Sequence, residues 1–310
     1  MMEIFRSPNY NFIGRRRIAY VVSLVAIILG IGSLATRGLR YDIDFTGGTL
    51  VQVRFDRRPD IGKIRSALGR AGIGESIIQE FGDPREYIVR LPLSVAASQD
   101  VGKRIEQALG TDPALGKIEI RRVEFVGPQV GRELQIQAIY AVLFGILGIL
   151  VYVAVRFDLK GGVAAIVAVF HDVIVALGAL SLFGFEFSLP VLAALLTIIG
   201  YSVNDTIVAY DRLRENRGRG SQRGKTFADQ MNDAVNQTLS RTVLTALTTF
   251  FATAILLVFG GKVLQDFAFV LFVGVITGTY STIYVAGALV VDWTIYVEGR
   301  RRGKKAVVRA

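Results

Sequence analysis

Residues 195–216, "LLTIIGYSVNDTIVAYDRLREN", place Asn204 and Asp205 inside a run that is otherwise apolar enough to form a membrane-spanning helix. An ionised carboxylate in hydrocarbon is costly unless it is paired, hydrated or protonated. The position of Asp205 therefore predicts either a partner within a helical bundle or a function for the acid itself.

The composition indicates a membrane protein with one soluble insert. Of the 310 residues, 52% are hydrophobic, and 36 Lys and Arg stand against 26 Asp and Glu. That combination is typical neither of a soluble enzyme nor of a disordered tail. The chain has no cysteine, which excludes a disulfide framework, thiolate metal sites and a cysteine nucleophile.

Six stretches are each long and apolar enough to cross a hydrocarbon core of about 30 Å as helices. They lie near 18–35, 134–155, 163–183, 189–210, 242–259 and 267–291. The first is flanked by "GRRR" and "SLA", so a cleavable signal peptide is an alternative. Its apolar run of about 18 residues is longer than a usual signal-peptide core, which favours an uncleaved anchor. The predicted fold is a polytopic α-helical membrane protein with six transmembrane helices.

The distribution of Lys and Arg predicts the orientation of these spans. Basic residues are frequent before the first span, between the second and third, between the fourth and fifth, and after the sixth, whereas the connections near 184–188 and 260–266 carry only Lys262. The positive-inside rule then places both termini in the cytoplasm. The predicted organisation is an N-terminal cytoplasmic segment at 1–17, an outer domain at 36–133, helices over 134–291 with a basic cytoplasmic loop at 211–241, and a basic cytoplasmic tail at 292–310. Most of the basic excess thus faces lipid, and no nucleic-acid partner is predicted.

The segment outside the membrane has the pattern of a small α+β domain. Extended patterns occur at "YDIDFTGGTLVQVRF" (41–55), "SIIQEF" (76–81), "EYIVRL" (86–91) and "KIEIRRVEF" (117–125), and helical patterns at "DIGKIRSALGRAG" (60–72) and "SQDVGKRIEQALG" (98–110). The order strand, helix, strand, strand, helix, strand is that of the extracytoplasmic ferredoxin-like fold predicted here.

Several residues of this domain are candidates for structural roles. The pair Gly47-Gly48 predicts a bend or bulge in the first strand. Asp42 and Asp44 could form a metal pair, but the favoured interpretation is that they are solvated or cap a turn. In "VGPQVGREL" (126–134), Gly127, Pro128 and Gly131 predict a pivot leading into the second span. The insert contains no His and no Cys, so we interpret it as a contact surface without a catalytic site.

Asp205 and Arg241 are the main candidates for a function inside the membrane. Asp205 is about six residues, roughly 9 Å, from the cytoplasmic end of its span. Arg241 lies at a similar depth at the start of the fifth span, so an ion pair between successive helices is predicted. Asn204, Thr206 and Tyr201 extend the polar cluster around the acid. The alternatives are that Asp205 only orders the bundle and that Arg241 only snorkels to lipid phosphates.

His171 and Asp172 fall near the midplane of the third span. Together with Tyr201 they are candidates for a secondary proton relay, because intramembrane acids and histidines mark proton or ion paths. The alternative is that His171, the only histidine of the chain, is a neutral packed residue. "GVITG" (274–278) predicts close packing of the sixth span against a neighbour and no function beyond that.

Several motifs, taken together, resemble the SecF family of protein-export membrane proteins in the resistance-nodulation-division superfamily. They are "YDIDFTGGTL", "VGPQVGREL", "RFD" (156–158), "HDV" (171–173), "IGYSVNDTIVAYDRLREN", "NQTLSRT" (236–242) and "GTYSTIYVA" (278–286). They run from residue 41 to 286 in the family's order, and the layout inferred independently from hydropathy agrees with them.

The resemblance implies a subunit of the bacterial inner membrane that works with SecD and associates with the SecYEG channel. Such proteins use the proton-motive force to help move preproteins out of the cytoplasm after SecA has begun the push, and YajC and YidC are further candidate partners. The family's membrane acid falls on Asp205 and its membrane arginine on Arg241. No cofactor, metal or covalent chemistry is implied, so the chain is not expected to be an enzyme. A SecD half, with its own membrane acid, is absent from this sequence.

Two other functions remain open at this point. Half of a small-molecule exporter of the same superfamily is disfavoured, because the insert is a single small domain without a second module to enclose a ligand. A non-conducting assembly subunit of the translocon is the second alternative. These possibilities differ in their dependence on protons: an assembly subunit should tolerate Asp205→Asn, whereas a proton-driven subunit should not.

Overall fold

The computed structural model describes residues 8–93, 101–220 and 224–307, with the backbone alone at 262–263, 299 and 301–307. Residues 1–7, 94–100, 221–223 and 308–310 lie outside these ranges. They belong to the predicted segments at 1–17 and 292–310, the predicted loop at 211–241 and the start of the second predicted helix of the domain. Six helical segments are long and apolar enough to cross a membrane, as predicted. They are α1 (Arg16–Arg37), α5 (Pro128–Arg156), α6 (Leu159–Phe183), α7 (Leu189–Gly218), α8 (Phe227–Phe259), and a last one that runs as α9 (Gly261–Ser281), a π-helix (Thr282–Gly287) and α10 (Ala288–Val307).

The helices continue well beyond the predicted spans on the side away from the α+β domain. The segment 211–241, predicted as a loop, is helical up to Gly218 and again from Phe227. Thr226 caps the second of these helices in a capping box, in which its hydroxyl accepts from the backbone N–H of Asp229 and the Asp229 carboxylate accepts from that of Thr226. The hydropathy pattern marks only the apolar part of each helix, whereas the caps decide where the backbone stops being helical.

The outer domain, which we define as residues 40–126, has the predicted ferredoxin-like topology. Its strands are β1 (Arg40–Tyr41), β2 (Gly48–Phe55), β3 (Ile77–Phe81), β4 (Asp83–Leu91) and β5 (Ile118–Val126), and its helices are α2 (Ile43–Thr46), α3 (Ile61–Arg70) and α4 (Val101–Gly110). The antiparallel sheet has the order β3-β4-β2-β5. The two longer helices and the sheet enclose one apolar core that includes Val51, Val53, Phe55, Ile64, Leu68, Val89, Leu91, Ile105 and Leu109. Each such side chain contributes about 1.5–3 kcal/mol by burial.

The first strand differs from the prediction. Residues Ile43–Thr46 form one helical turn, because Asp42 caps it by accepting the backbone N–H of Ile43 at 2.7 Å. The bulge lies between Gln52 and Val53, where the register of β2 with β5 shifts, and Gly47-Gly48 instead forms the tight junction between the turn and β2.

The outer domain is fastened to the membrane domain by backbone and ionic contacts. β1 pairs in parallel with β6 (Glu186–Phe187), the short strand between α6 and α7. Arg90 of β4 forms an ion pair with Glu186, and its second terminal nitrogen lies 3.8 Å from an oxygen of Asp42. The connection between the third and fourth spans is therefore attached directly to the base of the outer domain.

Glycines allow two pairs of spans to approach closely. In α9, a Cβ on Gly278 would lie 3.2 Å from the Ser202 side chain of α7, which fits the close packing predicted for "GVITG". At the α1–α6 contact, a Cβ on Gly178 would lie only 2.3 Å from the Cα of Gly30. Backbone atoms therefore fill the space that a side chain at Gly178 would need.

Gly178→Ala is accordingly expected to force α1 and α6 apart and to lower the stability of the membrane domain by about 1–3 kcal/mol, the usual effect of overpacking. The check is the thermal unfolding midpoint of the purified chain in detergent. Gly32→Ala is the matched control, since a Cβ at Gly32 meets nothing within 4 Å. Equal midpoints for the two variants would show that this contact is not tight.

Candidate functional site

A layer of hydrogen-bonded polar side chains lies inside the membrane domain where α6, α7 and α9 meet. Asp172 of α6, which is 1% exposed, is at its centre. One of its oxygens accepts from Ser202 of α7 and from Ser281 of α9, each at 2.6 Å. The other lies 2.9 Å from Nδ1 of His171. Each of these bonds is buried, so the Asp172 side chain joins polar groups of three helices.

The same layer continues into the π-helix of the last span. The Thr282 hydroxyl bonds to the carbonyls of Ser202 and Gly278, and it lies 3.1 Å from the hydroxyl of Thr206. A π-helix widens the backbone turn and is often found at functional sites within α-helices. The predicted polar neighbour Thr206 thus takes part in the layer, and it links α7 to the last span.

Asp205 is buried but has an unsatisfied oxygen. The residue is 3% exposed, and its Oδ2 atom has no hydrogen-bond partner in the part of the chain that the structure describes. It lies one turn beyond Ser202 on α7, next to the polar layer. Leaving a buried carboxylate oxygen unpaired is unfavourable, and the protonated form of the acid removes most of that cost.

The predicted direct contact between Asp205 and Arg241 is absent from this structure. Arg241 is exposed and forms no direct ion pair with Asp205 among the described residues, but its guanidinium is close enough to act electrostatically on the Asp205 carboxylate. The neighbouring Thr242 is buried instead. Consecutive helical residues point about 100° apart, because the helix has about 3.6 residues per turn. The depth estimate from sequence gave no information on this rotation.

Two other predicted members of the cluster differ in position. Asn204 is exposed and therefore lies outside the buried layer. Tyr201 is half-buried, and its hydroxyl lies beside threonine side chains of α8 and α9. The structure thus brings His171 and Asp172 together with Thr206, and leaves Asn204 and Arg241 on the outside of the helices.

The predicted pivot is a tightly packed joint. Gly127 is the N-cap of α5, Pro128 is its first residue, and the helix continues without a break. A Cβ on Gly131 would lie 3.1 Å from the carbonyl oxygen of Phe45 and 3.2 Å from the nitrogen of Gly47. Gly131 therefore brings α5 into close contact with the Gly47-Gly48 junction, and the pivot at this segment stays a prediction.

Asp44 connects this joint to the helix that carries Asp205. Its carboxylate accepts the backbone N–H of Leu189, the first residue of α7, at 3.2 Å, while the N-cap residue Ser188 makes no side-chain cap. Burial raises the pKa of the Asp44 carboxyl, and the Leu189 N–H opposes that rise. With Asp42 capping α2, both acids act as caps, as the favoured interpretation expected. In the described ranges, no group of three or more His, Cys, Asp or Glu residues could hold a metal ion.

An amide clamp at the opposite end of the bundle was not predicted from the sequence. Asn232 and Asn236 of α8 bond to the backbone of Tyr10, and Asn232 also accepts the N–H groups of Phe12 and Ile13. This clamp ties the segment before α1 to the fifth span. The only available signal was the spacing of two asparagines by one helical turn.

Two family models match the chain. "Protein export membrane protein SecD/SecF, C-terminal" matches residues 107–295, and "SecD/SecF GG Motif" matches residues 32–57. The second match contains Gly47 and Gly48, and the first contains the whole polar layer.

Curated relatives match over nearly the whole chain. Protein translocase subunit SecF from Calditerrivibrio nitroreducens is 43% identical over 93% of this chain and 96% of its own. The subunit of the same name from Desulfurispirillum indicum is 46% identical over 91% of each chain.

Solved structures show the same fold within longer chains. The crystal structure of SecDF, a translocon-associated membrane protein from Thermus thermophilus, is 43% identical with a TM-score of 0.82 over 93% of this chain. SecDF in a super-membrane-facing form has a TM-score of 0.71 at 42% identity over 98% of this chain. The present chain spans only 39% and 40% of those two SecDF chains.

Proposed function

We propose, from the premise that the chain belongs to the SecD/SecF family of protein-export membrane proteins, that it is a SecF-type accessory subunit of the Sec preprotein translocase. In this proposal it uses the proton-motive force, together with SecD, to assist late steps of export through SecYEG. The observation that supports proton coupling is Asp205, buried within a span and with one oxygen unpaired among the described residues. No covalent chemistry is required.

The proposed cycle alternates between two charge states of Asp205. Ionised, the acid favours an arrangement in which a cation or water reaches its free oxygen. Protonated, it tolerates the dry packing described above. One proton moving through about 100 mV supplies roughly 2.3 kcal/mol, which biases a two-state element but does not unfold a domain. Because one proton supplies so little energy, the export of one preprotein would require several protons.

The connection from Asp205 to the outer domain runs along α7. Asp205 is 16 residues from Leu189, a rise of about 24 Å along one continuous helix. At the other end, Asp44 accepts the Leu189 N–H, and β6 pairs with β1 just before α7 begins. A tilt or shift of α7 would therefore move the base of the outer domain, which in this proposal holds and releases the emerging preprotein.

Polar groups on the outer faces of the spans support a partner subunit within the membrane. Asn204 and Arg241 are exposed in the isolated chain, although both lie in helices that cross the membrane. Exposure of an amide and a guanidinium to lipid is unfavourable, and a neighbouring subunit would cover them. SecD is the partner proposed for this surface, where it would cover Asn204 and offer Arg241 a direct hydrogen-bond partner.

The remaining assignments follow from the orientation and the family. In this proposal both termini lie in the cytoplasm of a bacterium, as the positive-inside rule expects from the basic segments, and the outer domain lies on the far side of the inner membrane. SecA acts on the cytoplasmic side in this scheme, and YajC and YidC are further candidate partners. Lipid contacts the basic cytoplasmic segments, and the preprotein is the transported substrate.

The proposal predicts that the chain does not stimulate export alone. In sealed vesicles that contain SecYEG and SecA, gradient-stimulated export should appear when the chain is reconstituted with a SecD-type subunit and not without it, because Asn204 and Arg241 would otherwise face lipid. Co-purification of the two subunits from detergent is the parallel check. Full stimulation by the chain alone would contradict a shared membrane site.

A further inference from the structure

His171 has one ring nitrogen bonded and one unpaired. Nδ1 lies 2.9 Å from an oxygen of Asp172, whereas Nε2 is buried without a hydrogen-bond partner in the described chain. The side chain is 4% exposed, and its ring stacks on Tyr280 at 6.0 Å between centroids. A histidine that served only packing would more commonly have both nitrogens satisfied or its free one in water.

The contacts determine which nitrogen carries the proton of the neutral ring. The Asp172 carboxylate can only accept, so Nδ1 donates to it and Nε2 keeps a free lone pair. The other carboxylate oxygen already accepts from Ser202 and Ser281. When the ring is neutral, the Asp172 carboxylate therefore has no counter-ion on His171, and the lone pair of Nε2 has no hydrogen-bond donor.

Among the described residues, no ionisable group of the surrounding helices pairs with Nε2 of His171, so this nitrogen is available to a proton. No second ion pair to His171 or Asp172 occurs among the residues that the structure describes. Tyr280 uses its hydroxyl on the carbonyl of Ala19, and Tyr20 of α1 uses its own on Asp292, which also pairs with Arg16. On the other packed elements, the ionisable residues that lie within three positions of Ser202 or Ser281 are Tyr201 and Asp205 on α7, Tyr280 and, in the π-helix, Tyr284.

We propose that His171 and Asp172 form a second proton-binding site on the proton path of the membrane domain, in which Nε2 of His171 takes the proton and Asp172 is the counter-ion. A new N–H bond forms at Nε2, no other covalent bond changes, and the pair becomes neutral overall. The inference rests on the proposed function, since proton-driven export is what gives such a site its use.

The position of the site explains how its charge would affect the bundle. Asp172 holds Ser202 of α7, one turn before Asp205, and Ser281, the residue that precedes the π-helix. A positive ring beside Asp172 weakens the carboxylate as an acceptor for the two serine hydroxyls, because its charge is then shared with His171. Protonation therefore loosens α6 from α7 and from the last span at the level of Asp205.

The single histidine of the chain permits a direct test. The full chain, purified with a SecD-type subunit and without a histidine tag, is labelled with ¹⁵N only in histidine of this chain, so that imidazole nitrogen resonances report His171 alone. The spectrum is followed from about pH 8 to about pH 5, the range in which histidines commonly titrate. We expect Nδ1 protonated and Nε2 unprotonated at the start, and Nε2 converted to the protonated type on acidification.

Variants separate this site from Asp205 and from simple packing. Asp172→Asn removes the counter-ion and should leave Nε2 unprotonated at about pH 5. Ser281→Ala keeps the carboxylate and removes one of its other donors, so Nε2 should still become protonated, at the same pH as in the unmodified chain or at a higher one. The Asp205→Asn chain should also still protonate at His171. The Asp205→Asn measurement therefore tests the His171 site whether or not export depends on Asp205.

The same preparations give the outcomes that overturn the inference. An Nε2 resonance that stays unprotonated until the chain unfolds, a starting tautomer with the proton on Nε2, or an Asp172→Asn chain that protonates unchanged would each exclude the site. For a place on the proton path, His171→Gln should lower gradient-stimulated export at least about tenfold, the effect of about 1.4 kcal/mol. Unchanged stimulation in a His171→Gln complex that assembles normally would remove the site from the path.

Discussion

Asp205→Asn is expected to abolish the part of export that a proton gradient stimulates, while assembly with the SecD-type subunit survives. Asn has the size of Asp and can accept a hydrogen bond, but it cannot ionise, so the variant is fixed in the state that resembles a protonated acid. The measurement is preprotein import into sealed inverted vesicles, with and without a gradient. At about 100 mV each coupled proton is worth roughly 2.3 kcal/mol, so up to about fiftyfold stimulation is at stake per proton.

The control for Asp205→Asn lies on the same helix. Thr197 is exposed on α7, and its hydroxyl bonds, within the described part of the chain, to the carbonyl of Ala193 one turn earlier. Thr197→Val should therefore retain both assembly and gradient stimulation. If Asp205→Asn assembled and kept full stimulation, the acid would be structural, and the scaffold interpretation would replace the motor.

Gly48→Ala should strongly destabilise the outer domain. Gly48 has φ +141°, a conformation that side chains rarely adopt, and a Cβ there would lie 2.5 Å from the carbonyl oxygen of Leu91. Backbone strain and the clash add, so a loss of about 2–4 kcal/mol is expected. The reason is local: β2 begins at Gly48, directly between β4 and β5, and it cannot move away from the Leu91 carbonyl without losing both pairings.

Limited proteolysis of the intact chain in detergent measures this effect. Cleavage should appear within the outer domain of Gly48→Ala, while the membrane helices remain protected and the environment of Asp205 is unchanged. Gly69→Ala is the control with the opposite sign, since a Cβ on Gly69 of α3 would meet nothing within 4 Å, and alanine favours a helix by about 0.5–1 kcal/mol. Equal protease resistance of the two variants would show that the junction tolerates a side chain.

The fold was predictable because its main signals are local and periodic. Apolar runs mark the six spans, and alternating or helical periods mark the strands and helices of the outer domain. The predicted core residues Val101, Ile105 and Leu109 are all buried on one side of α4. The turn at Ile43–Thr46 escaped prediction, because its apolar and polar residues alternate as they would in a strand and only the cap at Asp42 distinguishes the two structures.

The acidic residues of the candidate site could be identified from the sequence, but the residues that contact them could not. Depth along a span follows from a count of residues, which placed Asp205 correctly within the fourth span. Rotation about the helix axis depends on packing with distant segments, and it turns Arg241 outward while Thr242 points inward. The serines that bind Asp172 come from two other helices, 30 and 109 residues away, so no local pattern could have indicated them.

The contact between Asp44 and α7 also joins residues far apart in the sequence and was therefore not predictable. The bond joins residues 145 positions apart, and it forms because the β1–β6 pairing brings the start of the outer domain to the start of the fourth span. The sequence predicted a cap at this acid but could not identify the capped helix. The structure shows that the capped helix is the one that carries Asp205.

Proton movement out of sealed inverted vesicles during export shows directly whether Asp205 couples the two processes. Vesicles that contain the chain, its SecD-type partner, SecYEG and SecA are loaded with a pH-sensitive dye, and preprotein export and internal pH are recorded together under an imposed gradient. Proton movement that accompanies export is expected with the unmodified chain and with Thr197→Val, and its loss is expected with Asp205→Asn. Equal proton movement per exported chain in the Asp205→Asn vesicles would contradict the assignment of Asp205 as the coupling acid.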